Sequence, residues 1–154
     1  MNVGEIMTSE VITVHPDTPY KEVIERLIDS EVSGVPVVDE HDRLVGIVTE
    51  ADLVSKEAYT GRRHRTLALL ADALSAREHH WVMKAAGRVA RDVMTPNPTT
   101  CKANEDVRAV ARRMLSSGVK RMPVVKDRLV VGMISRQDIL RTFARSDDAI
   151  AADI

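Results

Sequence analysis

Hydrophobic and polar positions along the chain follow a fixed order that occurs twice. In the first copy, a short β-branched run at residues 11–14 precedes a helical pattern, for which Thr18 is a candidate cap with Pro19 at the first helical position. The apolar face of that helix contains Val23, Ile24, Leu27 and Ile28. Two apolar runs without alternation follow, at residues 35–38 and 44–48, and these predict buried strands. A second helix is expected from Thr49, so the order predicts a β-α-β-β-α unit.

The second copy starts about 87 residues later. The matching segments are 6–8 (Ile-Met-Thr) with 93–95 (Val-Met-Thr), 36–38 with 123–125 (both Pro-Val-Val), and 46–53 (Gly-Ile-Val-Thr-Glu-Ala-Asp-Leu) with 132–139 (Gly-Met-Ile-Ser-Arg-Gln-Asp-Ile). Here Asn104 is the predicted cap, strands are predicted at 122–125 and 129–134, and a helix at about 136–144. We therefore predict a duplicated unit at residues 1–58 and 90–146, with a tail at 147–154.

A segment of different character, residues 59–89, separates the copies. It opens with the basic run Arg62-Arg63-His64-Arg65, which predicts a loop. From residue 66 to residue 86, Leu67, Leu74 and Trp81 follow helical spacing, so one inserted helix is expected there.

Composition excludes several classes of protein. The 154 residues carry a net charge of -1, which argues against a nucleic-acid binder that works through overall positive charge. A single cysteine, Cys101, excludes a disulfide framework and a multi-cysteine zinc site. No apolar run approaches the ~20 residues of a membrane span, and the first residues lack a basic leader, so the cytosol is the expected compartment.

The candidate chemistry lies in a hydroxyl and a carboxylate three residues apart, present in both copies as Thr49/Asp52 and Ser135/Asp138. A carboxylate can accept hydrogen bonds from ribose hydroxyls, and the free amides of a helix start can bind phosphate. The same spacing is close to a capping box, which satisfies the helix end without any ligand. Spacing alone leaves both interpretations open.

The tandem motifs resemble the cystathionine β-synthase (CBS) domain family. They are Met-Thr, Gly-Val-Pro-Val-Val-Asp and Gly-Ile-Val-Thr-Glu-Ala-Asp-Leu in the first copy, with Met-Pro-Val-Val and Gly-Met-Ile-Ser-Arg-Gln-Asp-Ile in the second. The resemblance implies an α/β fold in which two repeats pack about a pseudo-twofold axis. It also implies that clefts between the repeats bind AMP, ADP, ATP or S-adenosylmethionine. Two such modules would associate into a flat disk, and the module would report on its ligand to a partner protein.

By the same resemblance, two sets of residues would line the clefts. The first set is Thr13, Ser33, Gly34, Val35, Pro36, Thr49 and Asp52, with Val11 beside it. The second set is Thr100, Lys120, Arg121, Met122, Pro123, Ser135, Arg136 and Asp138, with Pro98 beside it. Main-chain groups at the strand starts would read the adenine edge, and Gly46 and Gly132 would either admit a flat base or ease a bend.

Charge makes the two sets unequal. Lys120, Arg121 and Arg136 stand in the second set where the first has Ser33, Gly34 and Glu50. Phosphate is therefore expected at the second site, with Ser135 and Arg136 or Arg121 as its partners.

The leading hypothesis is a non-catalytic regulatory module with an adenine nucleotide as regulatory ligand and no obligatory cofactor. A ligand-free dimerisation scaffold is the alternative, and nucleic-acid binding through residues 62–65, metal binding at His79-His80 and enzymatic activity are weaker ones. A homodimer is expected, through a helix face with Ile139, Leu140, Phe143 and Ala144. The protein it would regulate is not identified by the sequence.

Overall fold

The structure is a computed structural model that describes residues 1–55, 57 and 89–152, with side chains up to residue 145. The expected inserted helix at 66–86, the basic run at 62–65, His79-His80 and Trp81 lie outside the described residues.

In each copy, the helix, two strands and final helix follow in the order that the sequence predicts. The helices are α1 (Val3–Ile6), α2 (Tyr20–Asp29), α3 (residues 50–55), α4 (Ala90–Val93), α5 (Val107–Ser117) and α6 (Arg136–Ala152). The strands are β1 (Gly34–Val38), β2 (Leu44–Thr49), β3 (Thr95–Pro96), β4 (Arg121–Lys126) and β5 (Leu129–Ser135). The sequence pattern does not predict α1, α4 and β3. The α/β class is confirmed, and the four predicted buried strands fall within one residue of their observed bounds.

The chain forms two compact units that do not coincide with the sequence repeats. Unit 1 comprises Met1–Val11, His41–Leu44 and Asn97–Ile154, and unit 2 comprises Ile12–Glu40 and Val45–Pro96. Each unit therefore takes its first segment, with the Met-Thr motif, from the other repeat.

Unit 1 is built on the antiparallel pair β4–β5, in which Arg121 lies opposite Ser135. Three isolated bridges extend the pair: Thr8 joins Met133 and Arg43 joins Leu129 in antiparallel orientation, and Cys101 joins Val124 in parallel. The core under this sheet is aliphatic and contains Val3, Cys101, Val107, Val110, Met114, Met122, Val124, Ile134 and Ile139.

Unit 2 is built on a sheet with the order β1-β2-β3. The strand β3 pairs with β2 through Gly46↔Pro96 and Ile47↔Thr95, and Val14 forms a parallel bridge with Val37. Its core contains Val14, Val23, Leu27, Val35, Val37, Val48, Leu53, Ala90 and Val93.

The helix starts differ from those that the sequence predicts. Pro19, not Thr18, is the N-cap residue of α2, and the Thr18 hydroxyl oxygen accepts a hydrogen bond from the amide of His15 at 2.9 Å. Asn104 lies in a turn and α5 begins after Asp106, so its prediction as the cap is wrong. The predicted strand at 11–14 reduces to the single bridge at Val14.

The helix face expected to form a dimer interface is divided. Ile139 is buried in the core of unit 1 and Phe143 packs against that core, whereas Leu140 and Ala144 are exposed. Leu140 and Ala144 are therefore the members of this face that are most open to a partner. No helix in the described part of the chain is long and apolar enough to cross a membrane.

Candidate ligand-binding sites

Each unit has a strand that ends at a hydroxyl residue and a helix that begins immediately after it. In unit 2, β2 ends at Thr49, and the amide of Glu50 donates to the carbonyl of Ser33 at 2.8 Å. In unit 1, β5 ends at Ser135, and the amide of Arg136 donates to the carbonyl of Lys120 at 2.9 Å. The same backbone hydrogen bond therefore holds each helix start against the residues that lead into the neighbouring strand.

In unit 2, Thr49 and Asp52 form a reciprocal capping box. The amide and the hydroxyl of Thr49 donate to Oδ2 of Asp52 at 3.0 and 2.9 Å, and the amide of Asp52 donates to the hydroxyl oxygen of Thr49 at 3.2 Å. Both hydrogen bonds to the carboxylate end on one oxygen. The other oxygen, Oδ1, accepts no hydrogen bond from the described residues, so the cap leaves acceptor capacity for a ligand.

In unit 1, Ser135 and Asp138 repeat the cap, with one addition. The amide of Ser135 donates to Oδ2 of Asp138 at 2.9 Å, and the amide of Asp138 donates to Oγ of Ser135 at 3.2 Å. In addition, Nη2 of Arg141 lies 2.6 Å from Oδ1 of Asp138. The carboxylate is mostly enclosed and Arg141 is exposed, so a ribose hydroxyl that approaches Oδ1 would compete with this guanidinium.

The sequence pattern did not single out Arg141. The only available signal was its position one helical turn after Asp138, where i,i+3 pairs of opposite charge can meet. The matching residue in the first repeat is Ser55, whose uncharged side chain cannot form the corresponding ion pair with Asp52.

The side chain of Arg136 does not point to the expected phosphate site. Its Nε donates to the carbonyl of Val119 at 3.0 Å, just after α5, and its Nη2 to the carbonyl of Met114 at 3.4 Å, in the last turn of α5. The guanidinium of Arg136 is therefore bound to the main chain at the C-terminal end of α5. The expectation that Arg136 holds a phosphate is therefore not supported.

Two other cations border Ser135. Arg121 lies directly opposite Ser135 in the β4–β5 register and is half-buried, with its Nε fully enclosed. Lys120 is exposed beside it. The matching positions in unit 2 are Gly34 and Ser33, which carry no charge, and Glu50 there is exposed.

The remaining predicted residues divide into core and backbone positions. The side chains of Val35 and Met122 are completely buried in the cores, and Gly34, Pro36 and Pro123 are buried as well. These residues can contact a ligand only through their main chain.

Thr13 and Thr100 lie next to the bridges that extend β1 and β4, in units 2 and 1. Their carbonyls accept hydrogen bonds from Arg26 at 2.7 Å and Arg113 at 3.0 Å. These arginines, at matching positions of the two repeats, fix the segments that border the candidate sites.

The two glycines before the helix starts give space to methionines. A Cβ at Gly46 would lie 2.5 Å from Sδ of Met94, and a Cβ at Gly132 would lie 2.5 Å from Sδ of Met7. The Met-Thr motif of each repeat therefore packs onto the glycine of the other repeat's strand. Of the two roles considered for these glycines, close approach of a flat base has no support here.

No group of three or more histidine, cysteine, aspartate or glutamate side chains in the described ranges is arranged to hold a metal ion. Burial, with a smaller contribution from Glu105, raises the pKa of the Cys101 thiol to about 11, so this thiol is protonated at neutral pH.

Comparison with known proteins identifies the same two repeats. The family model for the CBS domain matches residues 3–59 and 90–145. The chloroplastic CBS domain-containing protein CBSX2 of Arabidopsis thaliana is 30% identical over 147 residues, an alignment that covers 90% of this chain and 62% of the relative. The chain thus spans about three fifths of the length of that relative.

Two solved structures share the fold and contain adenosyl ligands. A crystal structure of CBSX2 in complex with AMP has a TM-score of 0.72 and 26% identity, and covers 95% of this chain and 98% of its own. The CBS domain pair of protein MJ0100 in complex with 5′-methylthioadenosine and S-adenosyl-L-methionine has a TM-score of 0.75 and 28% identity, with the same coverage.

Proposed function

Since this chain belongs to the CBS domain family and carries the domain as a tandem pair, we propose that it is a regulatory module that binds an adenosyl ligand and performs no catalysis. The observation that carries the proposal is the capped carboxylate at the start of a helix in each unit. In Thr49/Asp52 of unit 2 the cap leaves Oδ1 of Asp52 without a hydrogen bond from the described residues, and in Ser135/Asp138 of unit 1 the corresponding oxygen is held only by the exposed Arg141. Related structures with the same fold hold AMP, 5′-methylthioadenosine or S-adenosyl-L-methionine.

Asp52 and Asp138 are the proposed ribose partners. A carboxylate can accept hydrogen bonds from both hydroxyls of a ribose, and hydrogen bonds to a charged group contribute about 1.5–3 kcal/mol each. The main chain at residues 33–36 and 120–123 would border the base, since most side chains there are buried. The buried side chains would therefore fix the position of the main-chain groups that form hydrogen bonds with the edge of the adenine.

A phosphate is proposed at the unit 1 site alone. Arg121 and Lys120 supply positive charge beside Ser135, and cations of this kind favour a phosphate. Unit 2 has Glu50 at its helix start and no cation at the matching strand positions, so it suits an uncharged nucleoside portion.

Signalling would follow from a difference in ligand affinity between two conformations of the module. A ligand shifts such an equilibrium only by as much as it prefers one state. We expect the ligand-bound form to bind an effector protein and so to pass on the signal. The module itself is expected to be a homodimer.

A cytoplasmic location stays a prediction from the sequence, and the plant relative CBSX2 is chloroplastic.

The test is calorimetry and thermal melting with AMP, ADP, ATP, S-adenosylmethionine and NADH. A ligand at a hundredfold excess over its Kd should stabilise the fold by about 2.7 kcal/mol. Asp138→Asn keeps an oxygen that can cap α6 and removes the charge, so AMP affinity should fall about ten- to a hundredfold while the unliganded melting temperature changes little. Absence of any shift with every ligand would favour the ligand-free scaffold.

A further inference from the structure

Arg136 joins the two parts of unit 1 that are proposed to hold a nucleoside. It is the first residue of α6, the helix that carries Asp138, and its amide donates to the carbonyl of Lys120 at 2.9 Å. Its side-chain Nε donates to the carbonyl of Val119 at 3.0 Å. The main chain and the side chain of one residue thus hold two consecutive carbonyls immediately before β4, where the main chain would border the base.

These hydrogen bonds, here called the Arg136 clamp, extend to the end of α5. Gly118 ends α5 in the left-handed conformation with a φ of 68°, and the amide of Val119 donates to the carbonyl of Met114 at 3.0 Å. Nη2 of Arg136 lies 3.4 Å from the same carbonyl oxygen. Because the donors of a guanidinium are fixed in one plane, contacts with two carbonyls set its orientation. The clamp therefore holds residues 118–120, which lead into β4, against α5 on one side and α6 on the other.

Unit 2 has the corresponding backbone hydrogen bonds with a different side chain. The amide of Glu50, the residue that matches Arg136, donates to the carbonyl of Ser33 at 2.8 Å. The amide of Val32 donates to the carbonyl of Leu27 at 3.1 Å. A carboxylate has no proton to donate, so the exposed side chain of Glu50 cannot repeat the contact that Arg136 makes with carbonyl groups. The two repeats share the backbone of this turn and differ in the side chain that supports it.

We propose that Arg136 is a positioning residue that determines base specificity in unit 1: it holds the start of the main chain of residues 120–123, which reads the edge of the adenine, and it does not touch the ligand. A main chain that is fixed before binding loses less conformational entropy on binding. A site built in this way rejects a base whose hydrogen-bonding groups differ, because polar groups of the site are then left unpaired. The inference rests on the adenosyl-binding function proposed above and names a residue on which its specificity depends.

The experiment compares adenosine with inosine, which differ only at the edge of the base that the main chain would read. Both affinities, and that of AMP, are measured by calorimetry on the full chain with Asp52→Asn, which weakens the unit 2 site and keeps an oxygen that can cap α3. In this background Arg136→Met removes every donor of the side chain, and Arg136→Lys keeps the charge with a single donor group. Arg112→Met is the control, because Arg112 is exposed on α5. Melting curves establish that each variant is folded.

Arg136→Met should weaken adenosine binding about tenfold and inosine binding much less, so the preference for adenosine should fall about tenfold. The ratio of AMP affinity to adenosine affinity should stay unchanged, because the arginine does not contact the phosphate. Arg136→Lys should give an intermediate preference, since an ammonium can reach one of the two carbonyls, and Arg112→Met should match the background. A role in folding alone would lower the melting temperature and leave both ratios as they are, because each ratio compares two ligands on the same protein.

An unchanged preference for adenosine in folded Arg136→Met would overturn the inference, while the binding of adenosine itself would uphold the proposed function. A fall in the ratio of AMP affinity to adenosine affinity would also overturn it, because Arg136 would then contact the phosphate. If Arg136→Met does not fold, Arg136→Lys provides the same two comparisons. A wild-type chain that binds none of the three ligands would overturn the proposed function, and this inference with it.

Discussion

At the scale of single residues, two carboxylates in matching motifs have different partners. The hydroxyl-x-x-carboxylate spacing predicts the cap at Asp52 and at Asp138, because the geometry of a helix start brings those groups together. The direction of a long arginine side chain is not encoded in such local spacing. Arg136 reaches carbonyls at residues 114 and 119, far away in the sequence. Arg141 pairs with Oδ1 of Asp138, whereas Oδ1 of Asp52 accepts no hydrogen bond from the part of the chain that the structure describes.

Replacement of Arg141 by serine, the residue at the matching position of the first repeat, should tighten the binding of adenosine at the unit 1 site. The ribose would no longer compete with an exposed ion pair, and such pairs contribute about 0.2–1 kcal/mol, so the affinity should rise by about 1.4- to fivefold. Calorimetry with adenosine avoids any phosphate contribution of the arginine.

Arg108→Ser is the control for that measurement, because it removes an exposed arginine of the same unit away from Asp138. The converse variant Ser55→Arg should weaken the unit 2 site. Weaker adenosine binding by Arg141→Ser would contradict the competition and make Arg141 a ligand partner instead.

The stability of unit 1 should depend in part on pH, through the carboxyl group of Glu105. The hydrogen bond from Arg113 lowers the pKa of the Glu105 carboxyl, burial opposes this, and the amide of Lys102 donates to the same side chain at 2.7 Å. A carboxyl whose pKa is lower in the folded state stabilises the fold above its unfolded pKa, and this stability is lost as the pH falls through the folded value.

Glu105→Gln should therefore lower the free energy of unfolding by about 1 kcal/mol at pH 7, and by progressively less as the pH falls below about 4. Urea titrations across that range measure the difference, with Glu10→Gln as the exposed control. If the difference in free energy of unfolding between the wild-type protein and Glu105→Gln stays constant with pH, the charge of the carboxylate contributes nothing to stability beyond the shape of the side chain.

At the scale of elements, the apolar pattern predicts those strands and helices whose position depends on the burial of their own side chains. The strands β1, β2, β4 and β5 are short apolar runs between turn residues, and each is found where the pattern places it. The helices α1 and α4 have four residues each, too few for a periodic pattern, and the Met-Thr motif that follows them gives no local sign of its packing. Their position depends on a contact with the other repeat's glycine, which no local window contains.

That contact gives a prediction for Gly132. An alanine there would place a methyl group 2.5 Å from Sδ of Met7 and 3.0 Å from the carbonyl oxygen of Thr8, so Gly132→Ala should destabilise the fold by about 1–3 kcal/mol. In a Met7→Ala background the same substitution should cost clearly less, because the sulfur is gone. Denaturant unfolding of the four proteins in this double-mutant cycle measures the coupling, and strictly additive losses would exclude the methionine as the obstacle.

At the scale of the whole molecule, the sequence repeat and the compact unit are different divisions of the chain. Val3 is fully buried among Val107, Val110 and Met114, although it belongs to the first repeat by sequence. The backbone confirms the exchange, since Thr8 and Met133 donate hydrogen bonds to each other's carbonyls at 2.9 Å. A repeat cut out at its sequence boundary lacks part of its own core.

A fragment of residues 90–154 should therefore be much less stable than unit 1 in the full chain. It lacks the buried side chain of Val3, the partly buried side chains of Ile6 and Met7, and the bridge at Thr8; removal of buried aliphatic groups of this size costs roughly 1–5 kcal/mol each.

A peptide of residues 1–11, added in excess, should bind the fragment and restore part of this stability, because it supplies the missing side chains and strand. Circular dichroism melts with and without the peptide measure the effect, and a peptide with Val3→Asp should be inactive because a charge would be buried without a partner. A fragment that melts like the full chain, or gains nothing from the wild-type peptide, would show that unit 1 folds without the segment from the first repeat.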